Sequence, residues 1–327
     1  MKIVRAHALD TIDDYVIDEV DRPDMAAHQI LIEVAACGVG YVDALVALGR
    51  YQVKPELPHI PGKEVAGRIR AIGAAVRGFS VGDRVLAVVQ GGFAEWVCAS
   101  TDAVLRIPAR MSFSQAAGFR INYLTALHGL RDRARLEPGE WLLVLGAGGG
   151  VGSAALQVGK VLGANIVAAA STADKRAHAL ALGADRVIDT ESEGWRERLK
   201  AACDGRGPDV VFDPVCGPLF EPAFRSLHWR GRHLVVGFVG GPIPALRANL
   251  PLMKGASLVG VDVRQFMLYE QARADAQLAE MLAWAGDGRI EPPIGREYAF
   301  DQFRQALQFA LSGQGTGKTV LRIGQID

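Results

Sequence analysis

The first chemical signal lies mid-chain, in the run Gly146-Ala147-Gly148-Gly149-Gly150-Val151-Gly152. It follows a continuous apolar run, Trp141 to Leu145, of the kind expected of a strand buried on both faces. It opens a segment, Gly152 to Leu162, with small and apolar residues at helical spacing. A glycine turn lets backbone N–H groups come close to a pyrophosphate. The helix behind it adds unpaired N–H groups and the positive end of its dipole. Gly152 also lets the helix pack closely on the strand. Glycines alone are a weak signal and could form a mere structural turn. Between a buried strand and a helix, with another strand (Asn165 to Ala170) following, they point to a bound dinucleotide. Gly146, Gly149, Gly150, Val151 and Gly152 are the candidate contacts.

The tip of that second strand selects between cofactors. NAD enzymes usually carry a carboxylate there, about 20 residues beyond the glycines, for the ribose hydroxyls. This chain has Ala170-Ser171-Thr172, with Lys175 and Arg176 close behind. A 2′-phosphate meets no repulsion at such a tip, and Ser171, Thr172 and Lys175 can bind it. Each charge-assisted hydrogen bond is worth roughly 1.5–3 kcal/mol, so two favour NADPH by about two orders of magnitude. The alternative leaves Lys175 in solvent and gives the ribose to Asp174. NADPH is the expected cofactor.

The elements that must position these residues fall into two regions. Up to about Ser112, β-like runs (Ile30 to Ala35, Glu64 to Ile72, Arg84 to Val89) alternate with turns at Gly82-Asp83 and Gly91-Gly92, as in a small irregular β-barrel. From Trp141 to Val261 strands and helices alternate, which predicts a doubly wound parallel sheet. A helix over about Gln271 to Ala285, a strand near Tyr298, a helix from Gln302 to Leu311 and a strand from Thr319 to Ile323 then complete the first region. The fold class is α/β. The expected boundaries are 1–118 with 264–327 for the β-rich domain and 119–263 for the dinucleotide domain.

Composition excludes other classes. Half of the 327 residues are hydrophobic, too many for a disordered chain. Lys and Arg number 36 and Asp and Glu 36, so no broad charge draws nucleic acid or an anionic membrane. The four cysteines are scattered without a CxxC pair, unlike a disulfide framework. No signal-peptide pattern and no membrane-spanning apolar run is visible, and a cytoplasmic location is expected.

Several further motifs occur in order: Cys37-Gly38-Val39-Gly40-Tyr41-Val42-Asp43, Pro61-Gly62-Lys63-Glu64-Val65-Ala66-Gly67, Val81-Gly82-Asp83-Arg84-Val85, Asn122-Tyr123-Leu124-Thr125-Ala126 and Asp213-Pro214-Val215. Together with the glycine loop they resemble the medium-chain dehydrogenase/reductase superfamily, and within it the zinc-free, zeta-crystallin-like quinone oxidoreductases, over essentially the whole chain. The resemblance implies a GroES-like β-barrel catalytic domain with a Rossmann domain inserted near its C-terminal end. It also implies a homodimer formed along the last Rossmann strand, about Ser257 to Val261. Zinc-dependent relatives hold their metal with a Cys, a His and a second Cys or Asp. The matching positions here are Gly40, Lys63 and Ile121, so no metal is expected.

The resemblance further implies the reacting site. Tyr51 matches a tyrosine that donates or orients a proton, with packing in the wall of the site as the alternative. Tyr41 shapes the nicotinamide pocket, with core packing as the alternative; Thr125 and Asn122 lie near it, with Thr125 alternatively a helix residue bonded to a backbone carbonyl; and Val215, Gly237 and Phe238 line the cofactor. Lys318 meets its phosphates. Lys63, in place of a zinc-site histidine, either points into the cleft or, the favoured reading, pairs with Glu64 or Asp43, and His128 is expected to be a satisfied structural histidine. The implied reaction is hydride transfer from NADPH to a small electrophile, a quinone or an enone. An enoyl thioester such as a short acyl-CoA is a second substrate class, because Gly40 and Leu45 replace polar groups of the usual quinone site. A non-catalytic, crystallin-like or RNA-associated NADPH-binding protein is the alternative of another kind.

Overall fold

The computed structural model describes residues 1–324. Its chain contacts form two units, one of Met1–Arg120 with the chain from Pro292 onward, the other of Ile121–Glu291. In the first, β1 (Lys2–Arg5) and β2 (Val16–Glu19) make an antiparallel hairpin. The rest is built on β3 (Gln29–Val39), which leads into α1 (Tyr41–Ala47) and then β4 (Glu64–Ile72), β5 (Arg84–Val88), β6 (Trp96–Ser100), β7 (Val104–Arg106) and α2 (Phe113–Ala117). Antiparallel β4 runs along one edge of β3, with register shifts between Leu31 and Ile32 and between Val34 and Ala36. Such bulges bend a strand, and β3 runs past its expected end at Ala35. Its other edge is shared, with β6 along Gln29–Glu33 and a C-terminal strand along Ala36–Val39. Ile30, Ile32, Val34, Val65, Ile69, Val85 and Phe93 fill the interior.

The second unit runs through α3 (Arg120–Leu127), β8 (Trp141–Leu145), α4 (Gly150–Val161), β9 (Asn165–Ala169), α5 (Ala173–Ala181), β10 (Arg186–Ile188), α6 (Trp195–Ala202), β11 (Val210–Asp213), α7 (Phe220–Ser226), β12 (Arg232–Val235), α8 (Asn249–Lys254), β13 (Ser257–Gly260), α9 (Val263–Tyr269) and α10 (Gln271–Asp287). The six strands are parallel in the order β10-β9-β8-β11-β12-β13, the doubly wound arrangement that the alternation predicts. Every residue of β8 is buried, as its unbroken apolar run requires. The chain then returns to the first unit as β14 (Ile294–Ala299), α11 (Phe303–Ser312) and β15 (Lys318–Arg322), the last pairing with β3.

Residues 264–291, expected with the β-rich domain, group with the second unit. The reason is a buried polar knot on the π-helical turn His128–Arg133. Asp132 accepts hydrogen bonds from His128 Nδ1 (2.9 Å), from Gln277 Nε2 (2.7 Å) and from Arg273 Nη2 (2.6 Å), the last two on α10. Phe266 of α9 stacks on the His128 ring with centroids 3.9 Å apart. The expectation for His128, a satisfied structural histidine, agrees with these contacts. No described helix is long and apolar enough to cross a membrane.

Another buried contact ties the N-terminal hairpin region to the loop before β4. The Tyr15 hydroxyl lies 2.6 Å from His59 Nδ1, and the backbones of Ala6 and His59 bond to each other in both directions. Burial, then the charge of Lys63, holds the His59 pKa down to about 4. Its unfolded value is about 6.5, so between these limits the unfolded chain takes up a proton that the folded one refuses. The stability contributed by this imidazole is therefore complete above pH 6.5 and is lost as pH falls toward 4. In denaturant titrations His59→Asn should show a shallower decline over that window than the unaltered chain. Parallel declines would acquit His59.

Candidate functional site

In the second unit the candidate cofactor residues gather at the carboxyl ends of the parallel strands. Gly146, just past β8, has φ +59°, and a Cβ there would meet Val215 Cγ2 at 2.8 Å. A Cβ on Gly152 would lie 2.3 Å from the Gly146 carbonyl oxygen. Both positions are closed to any side chain, and the cradle so formed fits a pyrophosphate against backbone. Gly149 is the N-cap of α4 and brings no side-chain acceptor to the first turn, which Gly150, Val151 and Gly152 form. Their N–H groups are the ones a helix leaves for an anion.

At the end of β9 Ala170 is buried, Ser171 and Thr172 are exposed, and Asp174 is exposed in the first turn of α5. Thr172 caps α5, its Oγ1 accepting from the Lys175 N–H at 3.2 Å. The Lys175 stem crosses the glycine turn, since a Cβ on Gly148 would strike its Cγ at 2.8 Å. Burial lowers the pKa of that ammonium. Arg176 Nη1 donates to the Ala170 carbonyl at 2.9 Å and so braces the strand tip.

The loops after β11 and β12 are held by a pair, Asp213 with His233, of which only Asp213 stands in a sequence motif. Asp213, fully buried, accepts from the Val215 N–H (2.9 Å) and the Cys216 N–H (2.8 Å), while its other oxygen lies 3.1 Å from Nε2 of fully buried His233. The Val215 carbonyl accepts from the Gly240 N–H at 2.8 Å, and a Cβ on Gly237 would lie 2.9 Å from the Pro214 carbonyl oxygen. Val215 and Gly237 are thus fixed beside Gly146, with Phe238 exposed next to them. The available signal was an acid ending an apolar strand, Val210-Val211-Phe212-Asp213, because a carboxylate buried there must find donors. Thr125 and Asn122 are both buried on α3, and Thr125 Oγ1 donates to the Ile121 carbonyl at 2.6 Å.

The first unit holds Tyr41, Tyr51 and the charged residues around them. Tyr41 is the first residue of α1, whose N-cap Gly40 donates its N–H to Asp43 Oδ2 at 2.8 Å. Burial raises the Asp43 pKa, against the opposing pull of Lys318, the Gly40 N–H and Lys63. Lys318, expected on cofactor phosphates, has its ammonium 3.4 Å from Glu64 Oε2, and both side chains are largely buried. Its stem packs where a Cβ on Gly118 or Gly38 would be, 2.5 and 2.8 Å from it. The expected pairing of Lys63 with Glu64 is therefore replaced by a Lys318–Glu64 pair. Glu64 begins β4 with its side chain inward, and the preceding Lys63 is exposed, consistent with the alternation of an extended chain. The Lys63 ammonium stands 6.0 Å from the centroid of the Tyr51 ring. A cavity of about 10 Å³ is lined by Asp43, His59, Lys63 and Gln90 among others. Among the described residues no three His, Cys, Asp or Glu side chains form a metal-binding group.

The family described as "Alcohol dehydrogenase GroES-like domain" matches residues 26–109, and that described as "Zinc-binding dehydrogenase" matches 150–281. The quinone oxidoreductase-like protein 2 homolog of Nematostella vectensis is 33% identical over 95% of this chain and 86% of its own. The quinone oxidoreductase of Mus musculus is 33% identical over 91% of this chain and 90% of its own. Escherichia coli quinone oxidoreductase, solved in complex with NADPH, superimposes with a TM-score of 0.88 at 26% identity, over 98% of this chain and 100% of that one. A barrel and a doubly wound sheet of this order, with relatives this similar over nearly the full length, place the chain in the medium-chain dehydrogenase/reductase superfamily, as a member of its zeta-crystallin-like quinone oxidoreductase family.

Proposed function

We propose that this chain is a zinc-independent reductase that transfers a hydride from NADPH to a small electrophile, a quinone or an enone. The observation that carries the proposal is the end of β9, where Ala170-Ser171-Thr172 brings no carboxylate and Lys175 folds over the glycine turn. Gly146, Gly149, Gly150, Val151 and Gly152 would hold the pyrophosphate through backbone N–H groups. Ser171, Thr172 and Lys175 would hold the 2′-phosphate, and Val215, Gly237 and Phe238 the nicotinamide end. NADPH bound there supplies the hydride.

Zinc independence rests on residue chemistry. Gly40 has no side chain, Lys63 presents a cation and Ile121 a hydrocarbon, so the positions that ligate zinc in metal-dependent relatives offer it no donor. In place of a Lewis acid the chain has Tyr51, whose phenol can donate a hydrogen bond to the oxygen that gains charge. Tyr41 shapes the same region, and Thr125 and Asn122 serve from α3. Lys318 braces Glu64 within the first unit. The four free cysteines suit a reducing, cytoplasmic setting.

The subunits pair, in this proposal, along edge strand β13. Leu258 on it and nearby Trp229, Leu252 and Met253 are exposed apolar side chains of the same unit, and an open edge strand favours pairing with a second copy. Sedimentation velocity should show a dimer, and a monomer at all concentrations would refute that part.

Oxidation of the coenzyme, followed at 340 nm with a quinone, an enone and crotonyl-CoA as acceptors, tests the reaction. Turnover of crotonyl-CoA alone would move the assignment to an enoyl-thioester reductase, and tight NADPH binding with no turnover to a non-catalytic role. Tyr51→Phe is expected to lower kcat at least about fivefold, a modest share of what a positioned proton donor contributes, without changing NADPH affinity. Unchanged turnover would remove Tyr51 from the mechanism. Ala170→Asp should weaken NADPH at least about tenfold more than NADH, a difference of ~1.4 kcal/mol from like-charge repulsion. Equal losses would overturn the coenzyme preference.

A further inference from the structure

Lys63 is a cation of the first unit that, among the described residues, makes no ion pair with a carboxylate. Glu64, its neighbour in sequence, pairs with Lys318 at 3.4 Å. Asp43 accepts the Gly40 N–H at 2.8 Å, and Lys63 reaches it only through the longer-range field that opposes the effect of burial on its carboxyl. Among the described residues Lys63 makes no ion pair. Its one ring contact, 6.0 Å from the centroid of Tyr51, lies at the outer limit of a cation–π interaction, so the ammonium is directed toward the tyrosine without being seated on it. The other groups around it do not neutralise its charge. His59 and Gln90 line the same small cavity, and His59, with a pKa held down to about 4, is neutral at physiological pH. The backbone beneath is firm, since Pro61, Gly62, Glu64 and Val65 are all buried while Lys63 itself is exposed.

We infer that Lys63 is a catalytic residue whose ammonium donates a hydrogen bond to the oxygen made anionic by hydride addition, so that the site is specific for acceptors that place negative charge on oxygen. The inference rests on the reductase assignment above. With an enone, the hydride electron pair forms the new C–H bond at the β-carbon. The electrons of the C=C bond shift to make the Cα=C bond of an enolate, and the carbonyl π pair moves onto oxygen. Both electrons come from the reduced nicotinamide, which is thereby oxidised, and water later supplies the proton to Cα. Lys63 and Tyr51 would meet that oxygen together. A lysine here does without a metal what charge stabilisation requires, a fixed positive group aimed where negative charge develops.

The test compares Lys63→Met, which keeps the length and removes the charge, with Lys63→Arg, using a series of substituted benzoquinones and one enone. Removing a single oxyanion donor commonly costs 10²–10³ in kcat, and an exposed group less, so Lys63→Met should lose at least about tenfold. Lys63→Arg should recover most of that loss, with the KM for NADPH unchanged in both. The Met defect should grow with the basicity of the oxyanion formed across the quinone series, a trend that a merely structural lysine would not produce. Matching melting temperatures establish that the variants are folded, as expected for an exposed side chain. A Met variant as active as the unaltered enzyme, or a defect that Arg fails to restore and that ignores acceptor basicity, overturns the inference and leaves the reductase assignment standing. An unaltered enzyme that reduces neither quinones nor the enone overturns the assignment itself.

Discussion

Between the Gly146 carbonyl and Gly152 there is no room for a single methyl group, and the dinucleotide half of the molecule depends on that contact. It lets α4 begin immediately above the end of β8 and point its first-turn N–H groups outward. With any other residue at 152 the helix would have to move away from the sheet, and the turn would lose its fit to a pyrophosphate. Gly146 adds a second restriction, because its left-handed backbone and the nearby Val215 side chain both exclude a Cβ. The loop is therefore a backbone surface, built by removing side chains.

In each unit, buried charged side chains hold the framework. Asp213 is enclosed by two N–H groups and His233, and this pins the two loops that flank the glycine turn. Asp132 does the same for the helices that follow β13. Lys318 and Glu64 neutralise one another in the barrel unit. A buried charge without such a partner would cost several kcal/mol, and removing one member of a pair is correspondingly expensive. The Lys175 stem lies over the glycine turn, and the Lys63 ammonium stands beside Tyr51.

Gly40, Lys63 and Ile121 carry the proposal of zinc independence. Gly40 lies between β3 and α1 and Lys63 just before β4, and neither residue type is an ordinary zinc ligand. In the proposed reaction the electrostatic task would pass to neutral and cationic hydrogen-bond donors, which stabilise charge on oxygen without lowering the pKa of an alcohol.

The sequence alone determined the doubly wound sheet, because buried parallel strands must be continuous apolar runs and their helices must repeat at 3.6 residues. Trp141–Leu145, Arg186–Ile188 and the glycine loop stand where those patterns put them. The absence of a carboxylate after Ala169 is likewise a property of residue order. Tertiary structure decided what depends on partners distant in the chain. The placement of α9 and α10 with the second unit follows from Asp132, more than 130 residues before the side chains that bind it. The exchange of Lys63 for Lys318 as the partner of Glu64 has the same origin, since 254 residues separate that pair and only the alignment of β15 on β3 brings them together. Local pattern records which face a residue takes. It does not record which of several like-charged side chains will arrive opposite it.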